Sequence, residues 1–257
     1  MGLAVCILGG CHLEGYGVGI ERGFASLLRK RLINEFGKTE VRTFPFFRLR
    51  DAAKASTILA DHAPDVLILQ LGNYEGAPAL FRRGKSTGSS AGAPACWAHD
   101  DQFRPGLGRT LKNASKRVLH AAFGGRRADY SQWDTQAHAF FEAVALHAVP
   151  KVIVLTPFPS VDAIHARYRR RLGEIVSAKA RSHGFLLEDS FVLLESTDLF
   201  LPDGEHLNSG GHRLLAARLS ADIRDMASTS RDRRDDSRAA RSSSGGQGRR
   251  RRTAVAA

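Results

Sequence analysis

Short apolar runs alternate with longer amphipathic stretches over most of the chain. The runs that this pattern predicts to be strands are Leu3–Leu8, Glu40–Phe44, Asp65–Leu71, Lys151–Thr156 and Gly184–Leu187. The third and fourth runs contain four consecutive apolar residues, Val66–Leu69 and Val152–Leu155, without polar alternation. Such runs are typical of parallel strands that are buried on both faces. The strands are therefore expected to form a parallel sheet that is covered by helices.

Apolar residues at three- and four-residue spacing predict the helices between these strands. Phe24, Leu28 and Leu32 share one such face. A basic helix is expected from Asp162 to Ser182, and a closing helix from Gly211 to Met226. The order of elements predicts an α/β fold: a three-layer, doubly wound (flavodoxin-like) domain over residues 1–227, with a mostly parallel five-stranded sheet and right-handed crossovers.

Residues 76–132 interrupt this alternation with a basic stretch that is rich in Gly, Ser and Ala. Within it we expect a mobile loop over Gly84–Ala95 and a helix over Gly108–Phe123. A long connection inside a compact domain is usually functional or partly structured. Because it follows the third strand, where doubly wound sheets place ligands, the insertion is interpreted either as a lid or as an inert surface segment.

Half of the formal net charge of +12 belongs to residues 228–257, which contain nine Arg and three Asp. This segment has no aromatic residue, so it buries too little apolar surface to offset its ordering entropy, and we expect a disordered basic tail. Its run Arg249–Arg252 suits nonspecific contact with anions such as RNA or lipid. A solvated tail without a dedicated partner is the plainer interpretation.

The composition excludes several classes of protein. No apolar run approaches the ~20 residues that a membrane span needs, and the N-terminal segment is predicted to be a strand rather than a secretory signal. Three cysteines (Cys6, Cys11 and Cys96) argue against a disulfide framework and favour a reducing, cytoplasmic location. None of them has a partner at zinc-ligand spacing, so we expect no metal and no cofactor.

Three polar segments are predicted to meet at one crevice of the sheet. They are Leu8–Gly17, Leu71–Gly76 and Leu201–His212. The first is a Gly-rich turn after a strand, but it lacks both the Gly-x-Gly-x-x-Gly spacing and the Lys-Ser/Thr of a phosphate loop, so nucleotide binding is not favoured. The order of the three segments is more informative: a nucleophile type, then an amide, then Asp-x-x-His before the last helix.

This order resembles the SGNH/GDSL hydrolase family over nearly the whole predicted domain. The run from Asp203 to Asn208, Asp-Gly-Glu-His-Leu-Asn, is similar to the family's terminal block, and Pro64–Gly72 resembles its third block. The resemblance implies a doubly wound fold and ester hydrolysis. It places Asp203 and His206 as the acid and base of a triad, and Cys11 where the family has its serine nucleophile.

The sequence departs from the family pattern around the expected oxyanion donors. Gly10 replaces an aspartate, and Tyr74 occupies the position of the family's asparagine, with Asn73 one residue early. The family's second-block glycine has no counterpart within Thr43–Arg48. The candidate oxyanion or substrate-binding residues are Gly10, Gly72, Asn73 and Tyr74.

A cysteine retains nucleophilic chemistry, because thiols near an imidazole or a helix start ionise readily. The first hypothesis is an esterase or deacylase in which Cys11 attacks a small-molecule or carbohydrate acyl ester, with His206 as base or as the imidazolium of an ion pair. A second is an acyltransferase that moves an acetyl group from acyl-CoA to a polysaccharide. A third is a noncatalytic binding module in which Cys11 is only a small buried residue.

His12 is a further imidazole near the sulfur, whereas Trp97 and Trp133 are expected in core packing.

Overall fold

The computed structural model of the chain describes residues 2–75 and 130–244. The strands in these ranges are β1 (Leu3–Leu8), β2 (Thr39–Phe44), β3 (Val66–Gln70), β4 (Lys151–Leu155) and β5 (Leu186–Glu188). The α-helices are α1 (Phe24–Phe36), α2 (Ala52–His62), α3 (Tyr130–Ala145), α4 (Ala163–Ser182), α5 (Ser190–Leu193) and α6 (Ser209–Ser244). The expected loop at Gly84–Ala95, the expected helix at Gly108–Phe123 and the lid interpretation lie outside the described residues.

The five strands form one parallel sheet in the order β2-β1-β3-β4-β5. The predicted α/β class is thereby confirmed, and each expected strand is present within two residues of its predicted start. β5 begins at Leu186 rather than Gly184 because Gly184 has a φ of +69° and ends the turn after α4. That left-handed conformation is compatible with a turn but not with a strand.

Alternate residues of each strand face opposite layers of helices, as a strand period of two requires. On β1, Val5 and Ile7 join a core cluster with α1 and α6. Cys6 and Leu8 join a second cluster with α2, α3 and α4. Trp133 is buried in this second cluster, in agreement with its predicted packing role, while Trp97 lies outside the described residues. The result is a three-layer domain whose central strands are covered on both faces.

The strand order places a crevice at the carboxyl end of β1. The chain passes from β1 to β2 on one side of it and then returns to β3 on the other side. Connections that leave in opposite directions open a gap above the sheet, which is where doubly wound proteins bind ligands. The turns that follow β1 and β3, with the segment before α6, are therefore the region in which to examine the predicted site.

The last helix is longer than the sequence pattern predicts. α6 runs from Ser209 to Ser244, whereas the apolar pattern ends at Met226. The helical backbone of 228–244 differs from the expected disorder, and the sequence has neither Gly nor Pro between Gly211 and Gly245 to end a helix there. Residues 245–257 lie outside the described residues. No helix within 2–75 and 130–244 is both long enough and apolar enough to cross a membrane.

Candidate active site

Cys11 is held at the end of β1 by a turn that only glycine fits. A Cβ on Gly9 would lie 2.5 Å from a Leu13 methyl group, and Gly15 has a φ of +63°. Between them a short 3-10 helix spans Cys11–Glu14, with Gly10 extended before it. The turn therefore presents the Cys11 side chain, which is partly buried, at the mouth of the crevice.

Asp203 and His206 are organised by a second tight turn. Gly204 has a φ of +70°, and its N–H donates to the carbonyl of Leu201, whose own N–H donates to the carbonyl of His206. Asp203 Oδ1 accepts the backbone N–H groups of Glu205 and His206 at 2.9 and 3.0 Å. This leaves Oδ2 to accept from His206 Nδ1 at 2.7 Å. The Asp-x-x-His spacing thus fixes the orientation of the imidazole.

The two turns meet, although their residues are far apart in sequence. Cys11 Sγ lies 3.4 Å from His206 Nε2. Since Nδ1 of the same ring donates to Asp203, Nε2 is the nitrogen that exchanges a proton with the thiol. The three residues form one continuous thiol–imidazole–carboxylate chain, the arrangement of nucleophile, base and orienting acid.

The electrostatics of the site favour a charged imidazole. Burial alone would lower the pKa of His206, but its hydrogen bonds to Asp203 and to Cys11 outweigh burial and raise the pKa to about 9. Burial opposes ionisation of Asp203, yet His206 and the two backbone N–H groups hold the pKa of that carboxyl below its usual value. A charged imidazolium that is hydrogen-bonded to the Asp203 carboxylate is therefore a favoured state at neutral pH.

Tyr74 brings a phenol to the nucleophile. Its hydroxyl is buried and makes no hydrogen bond of regular geometry within the described residues, although the Cys11 thiol and backbone N–H lie beside it. Burial first, and then the charge of Cys11, raise the pKa of Tyr74 above its usual value, so the hydroxyl keeps its proton. Gly10 packs near the edge of this ring. The structure thus places a neutral donor next to Cys11.

The other candidate oxyanion residues have structural contacts instead. The N–H of Gly10 donates to Gln70 Oε1 at 2.8 Å, so it is already engaged. Gly72 has a φ of +94°, and a Cβ there would lie 2.6 Å from the Pro157 ring. Asn73 is 8% exposed, and its Oδ1 accepts the N–H of Phe158 at 2.8 Å. Gly10 and Gly72 thus shape the turns around the site. Asn73 Nδ2 is buried and makes no hydrogen bond within the described residues, so its donors are not engaged. The Tyr74 hydroxyl lies beside the nucleophile.

His12 lies behind the sulfur and is fully enclosed. Its Nδ1 is 4.0 Å from Cys11 Sγ, and its Nε2 is 3.3 Å from the carbonyl oxygen of Glu205. Its ring also packs edge-on against Phe158. Burial, followed by the charge of His206, lowers the pKa of His12 well below its usual value. A neutral His12 therefore links the Cys11 turn to the turn that carries His206.

A partly buried cluster that the sequence did not predict supports the Asp203–His206 turn. The carboxylate of Glu205 contacts Arg169 and His165 and accepts a hydrogen bond from Ser160. The guanidinium of Arg169 also donates to the carbonyls of residues 158 and 159. Burial would raise the pKa of Glu205, but Arg169 and then His165 lower it to about 2. The four-residue spacing of His165 and Arg169 on α4 is the one sequence signal of this cluster.

Aromatic and cationic side chains line the opening of the crevice. The ring of Tyr16 lies 4.0 Å from the ring of His206, centroid to centroid. The guanidinium of Arg48 lies over the ring of Tyr74, with its Cζ 5.4 Å from the ring centroid. Sequence reasoning gave neither residue a role, although Tyr16 lies in the segment Leu8–Gly17 and Arg48 in the segment Thr43–Arg48.

Metal-ligating residues do not gather at this site. Over residues 2–75 and 130–244, no group of three or more His, Cys, Asp or Glu side chains is arranged to hold a metal ion. Cys96 lies outside those ranges.

Comparisons with known proteins identify the fold. No family model matches the sequence, and no curated protein matches it either. Solved structures do match, over nearly their whole length. A lipase/acylhydrolase from Enterococcus faecalis is 14% identical, with a TM-score of 0.57 over 86% of this chain and 95% of that one.

Two esterases match similarly. The psychrotrophic esterase EstA from Pseudoalteromonas sp. is 12% identical, with a TM-score of 0.56 over 88% of this chain and 98% of that one. A carbohydrate acetylesterase from Sinorhizobium meliloti is 14% identical, with a TM-score of 0.56 over 87% and 99%. At these identities the comparisons show a shared fold, and the chemistry of this chain must be argued from its own residues.

Proposed function

We propose that this protein is an SGNH/GDSL-like esterase or deacylase that hydrolyses an O-acyl ester, with cysteine in place of the serine nucleophile. The observation that carries the proposal is the chain of contacts from Cys11 Sγ through His206 to Asp203 at the carboxyl end of β1. A binding module has no need of an oriented imidazole beside a thiol. Esterases with the same fold support the reaction class.

In the first half of the reaction the Cys11 thiolate attacks the ester carbonyl carbon and forms a tetrahedral oxyanion. The C–O bond to the alcohol then breaks, and His206 Nε2 donates its proton to the departing alkoxide. The product is a thioester on Cys11 and a free alcohol. Asp203 remains ionised throughout and stabilises the imidazolium.

In the second half, neutral His206 accepts a proton from water, and the resulting hydroxide attacks the thioester carbonyl. The C–S bond breaks, the carboxylic acid leaves, and the thiolate–imidazolium pair is restored. Both halves use the same 3.4 Å contact between Cys11 Sγ and His206 Nε2. Water replaces a sugar hydroxyl as acceptor in this scheme, which distinguishes hydrolysis from acyl transfer.

For the oxyanion, we assign the Tyr74 hydroxyl as a donor. It is buried, it keeps its proton, and it lies beside the thiol and the backbone N–H of Cys11. A phenol hydroxyl can donate one hydrogen bond to the oxyanion, and an asparagine amide would also donate one through a single N–H. Tyr74 thereby performs the role that the family resemblance gives to an asparagine at this position.

For the substrate, we propose a small-molecule or carbohydrate acyl ester. One esterase with this fold is described as a carbohydrate acetylesterase, and another as an acetyl xylan esterase. Tyr16 at the mouth of the crevice is an aromatic surface against which a sugar ring can stack. Residues 1–227 are the proposed catalytic domain.

The test is turnover of 4-nitrophenyl acetate by the purified full-length chain. We expect steady hydrolysis that Cys11→Ala abolishes and that iodoacetamide blocks, with the Cys96→Ser variant as the control for loss of an unrelated thiol. Turnover that persists in Cys11→Ala contradicts the proposal. Protection of Cys11 by acyl-CoA without ester turnover would instead identify a transferase.

A further inference from the structure

Arg48 is a cation in the wall of the crevice that the proposed reaction does not use. Its guanidinium lies over the Tyr74 ring, and its positive charge lowers the pKa of Tyr74 against the stronger effects of burial and Cys11. The hydroxyl of the same ring lies beside Cys11. One aromatic ring therefore separates the guanidinium from the nucleophile.

The charge of Arg48 has no side-chain counter-ion within the described residues. Its backbone N–H donates to Asp51 Oδ2 at 2.9 Å, but its side chain takes part in no ion pair or hydrogen bond there. Two arginines that are more exposed than Arg48 are nevertheless paired: Arg218 with Glu188, and Arg224 with Glu35. A half-buried guanidinium that lies one aromatic ring from the nucleophile, and has no counter-ion among residues 2–75 and 130–244, is a site for an anion, since it offers a planar fork of donors.

We propose that Arg48 binds a carboxylate of the substrate, so that the enzyme prefers acyl esters that carry a negative charge a few bonds from the reacting carbonyl. The proposal rests on the proposed function and specifies its substrate class. Phe46, which is 47% exposed and faces the Tyr74 ring, provides an apolar contact for the carbons between the two groups.

The position of Arg48 favours a carboxylate on the acyl half over a phosphate of acyl-CoA. The pantetheine arm separates the phosphates of CoA from the thioester by many rotatable bonds. Arg48, in contrast, is only one ring away from Cys11. A half-ester of a short dicarboxylic acid spans such a separation.

A test that is independent of turnover compares two alkylating reagents. Iodoacetate and iodoacetamide are of nearly equal size, and each forms a C–S bond to the Cys11 thiolate and releases iodide, but only iodoacetate is anionic. Peptide mass spectrometry follows the alkylation of Cys11 by each reagent. The rate constant for iodoacetate divided by that for iodoacetamide therefore measures how strongly a nearby cation attracts the anionic reagent. We expect Arg48→Met to lower this ratio about tenfold, and Arg48→Lys to restore most of it.

Arg50→Met is the matched control, because Arg50 is exposed on the same connection. It is expected to keep the wild-type ratio. An unchanged ratio in Arg48→Met overturns the proposal, and so does an equal decrease in Arg50→Met, which would indicate a general field rather than a contact.

Turnover then identifies which half of the substrate carries the charge. Monomethyl succinate is compared with methyl butyrate for the acyl half, and 4-acetoxybutyrate with butyl acetate for the alcohol half, all by titration of released acid. We expect Arg48→Met to reduce the preference for monomethyl succinate over methyl butyrate and to leave the preference within the alcohol pair unchanged. A change that is confined to the alcohol pair contradicts the assignment of the charge to the acyl half. No turnover of any ester refutes the proposed function, while the alkylation ratio still decides the role of Arg48.

Discussion

At the residue scale, the proposed reaction differs from the family pattern in using the hydroxyl of Tyr74 as an oxyanion donor. A phenol is larger than an amide, and the Tyr74 hydroxyl lies beside Cys11, whereas Asn73 Oδ1 accepts a hydrogen bond from the loop after β4. Its raised pKa keeps it a donor rather than a competing anion. A neutral donor costs no reorganisation when the oxyanion forms.

Replacing Tyr74 with Phe is expected to lower kcat about 10²- to 10³-fold with little change in KM, because removal of one oxyanion donor costs about 3–4 kcal/mol in the transition state only. Steady-state kinetics with 4-nitrophenyl acetate measure this. Tyr130→Phe, on α3, is the control and should leave kcat unaffected. A Tyr74→Phe enzyme with wild-type kcat would exclude the hydroxyl from the reaction.

The raised pKa of His206 predicts a pH dependence that varies with the leaving group. An alkoxide needs a proton from the imidazolium, so kcat/KM for ethyl acetate should fall as pH rises through about 9. Nitrophenolate leaves without a proton, so kcat/KM for 4-nitrophenyl acetate should show no such fall. Parallel profiles measured by titration for the two esters would contradict an imidazolium donor.

The three residues of the proposed triad could be selected from the sequence, but their surroundings could not. Asp203 and His206 are three residues apart, so the Asp-x-x-His spacing identifies them in the sequence. Cys11 is identified by the predicted strand and the Gly-rich turn that precede it. Arg48 and Arg169 act through contacts with residues far away in sequence, which leave no local pattern. Tyr74 was included among the candidates only because it occupies the position of the asparagine in the resemblance to the SGNH/GDSL family.

At the scale of elements, the turn before α6 depends on α4. Glu205 lies between Asp203 and His206, the two proposed catalytic residues of that turn, and is bound by Arg169 and His165 of the helix. Its carboxylate is largely buried, and a buried ion pair that loses one partner leaves an uncompensated charge. The ion pair therefore holds the geometry of Asp203 and His206 as well as the fold.

Glu205→Gln is expected to lower the free energy of unfolding at pH 7 by about 3 kcal/mol. Because the folded pKa of Glu205 is depressed from 4.5 to about 2, its contribution is complete above pH 4.5 and is lost as pH falls toward 2. The wild type and the variant should therefore converge in acid. Urea titrations at pH 7, 4 and 2 measure this, with exposed Glu195→Gln as a control that should match the wild type.

The strands were predictable because burial on both faces leaves only apolar residues, as in Val66–Leu69. β2 was found despite its polar character, since half of its residues face solvent at the sheet edge. The extent of α6 was not predictable from apolar spacing, because the helix beyond Met226 has no apolar face to reveal it.

At the scale of the whole molecule, the fold brings the segment that follows β1 close to the segment around the start of α6. α1 and α6 pack on the same face of the sheet as Val5 and Ile7, and the N–H of Phe24 donates to His212 Nδ1 at 3.1 Å. Folding of this layer is therefore what brings Cys11 to His206. The active site is a product of global topology rather than of any local segment.

Deletion of residues 228–257 is expected to shift the melting temperature by no more than about 2 °C, since Ile223 is the last buried residue among the side chains of α6 that the structure describes, Ser209 to Met226. Deletion from Leu219 onward should instead prevent folding, because it removes the contacts of α6 with α1. Calorimetry of the two truncated chains tests this. A loss of many degrees in the shorter deletion would show that the tail packs on the domain.

The account depends most on covalent chemistry at Cys11, which mass spectrometry measures directly. After rapid acid quench of the full-length protein with 4-nitrophenyl acetate, we predict one acetyl group on the peptide that contains Cys11, formed in a burst equal to the enzyme concentration. The acetyl group should be absent in Cys11→Ala and should form much more slowly in His206→Ala. Continued ester turnover without acetylation of Cys11 would contradict the account.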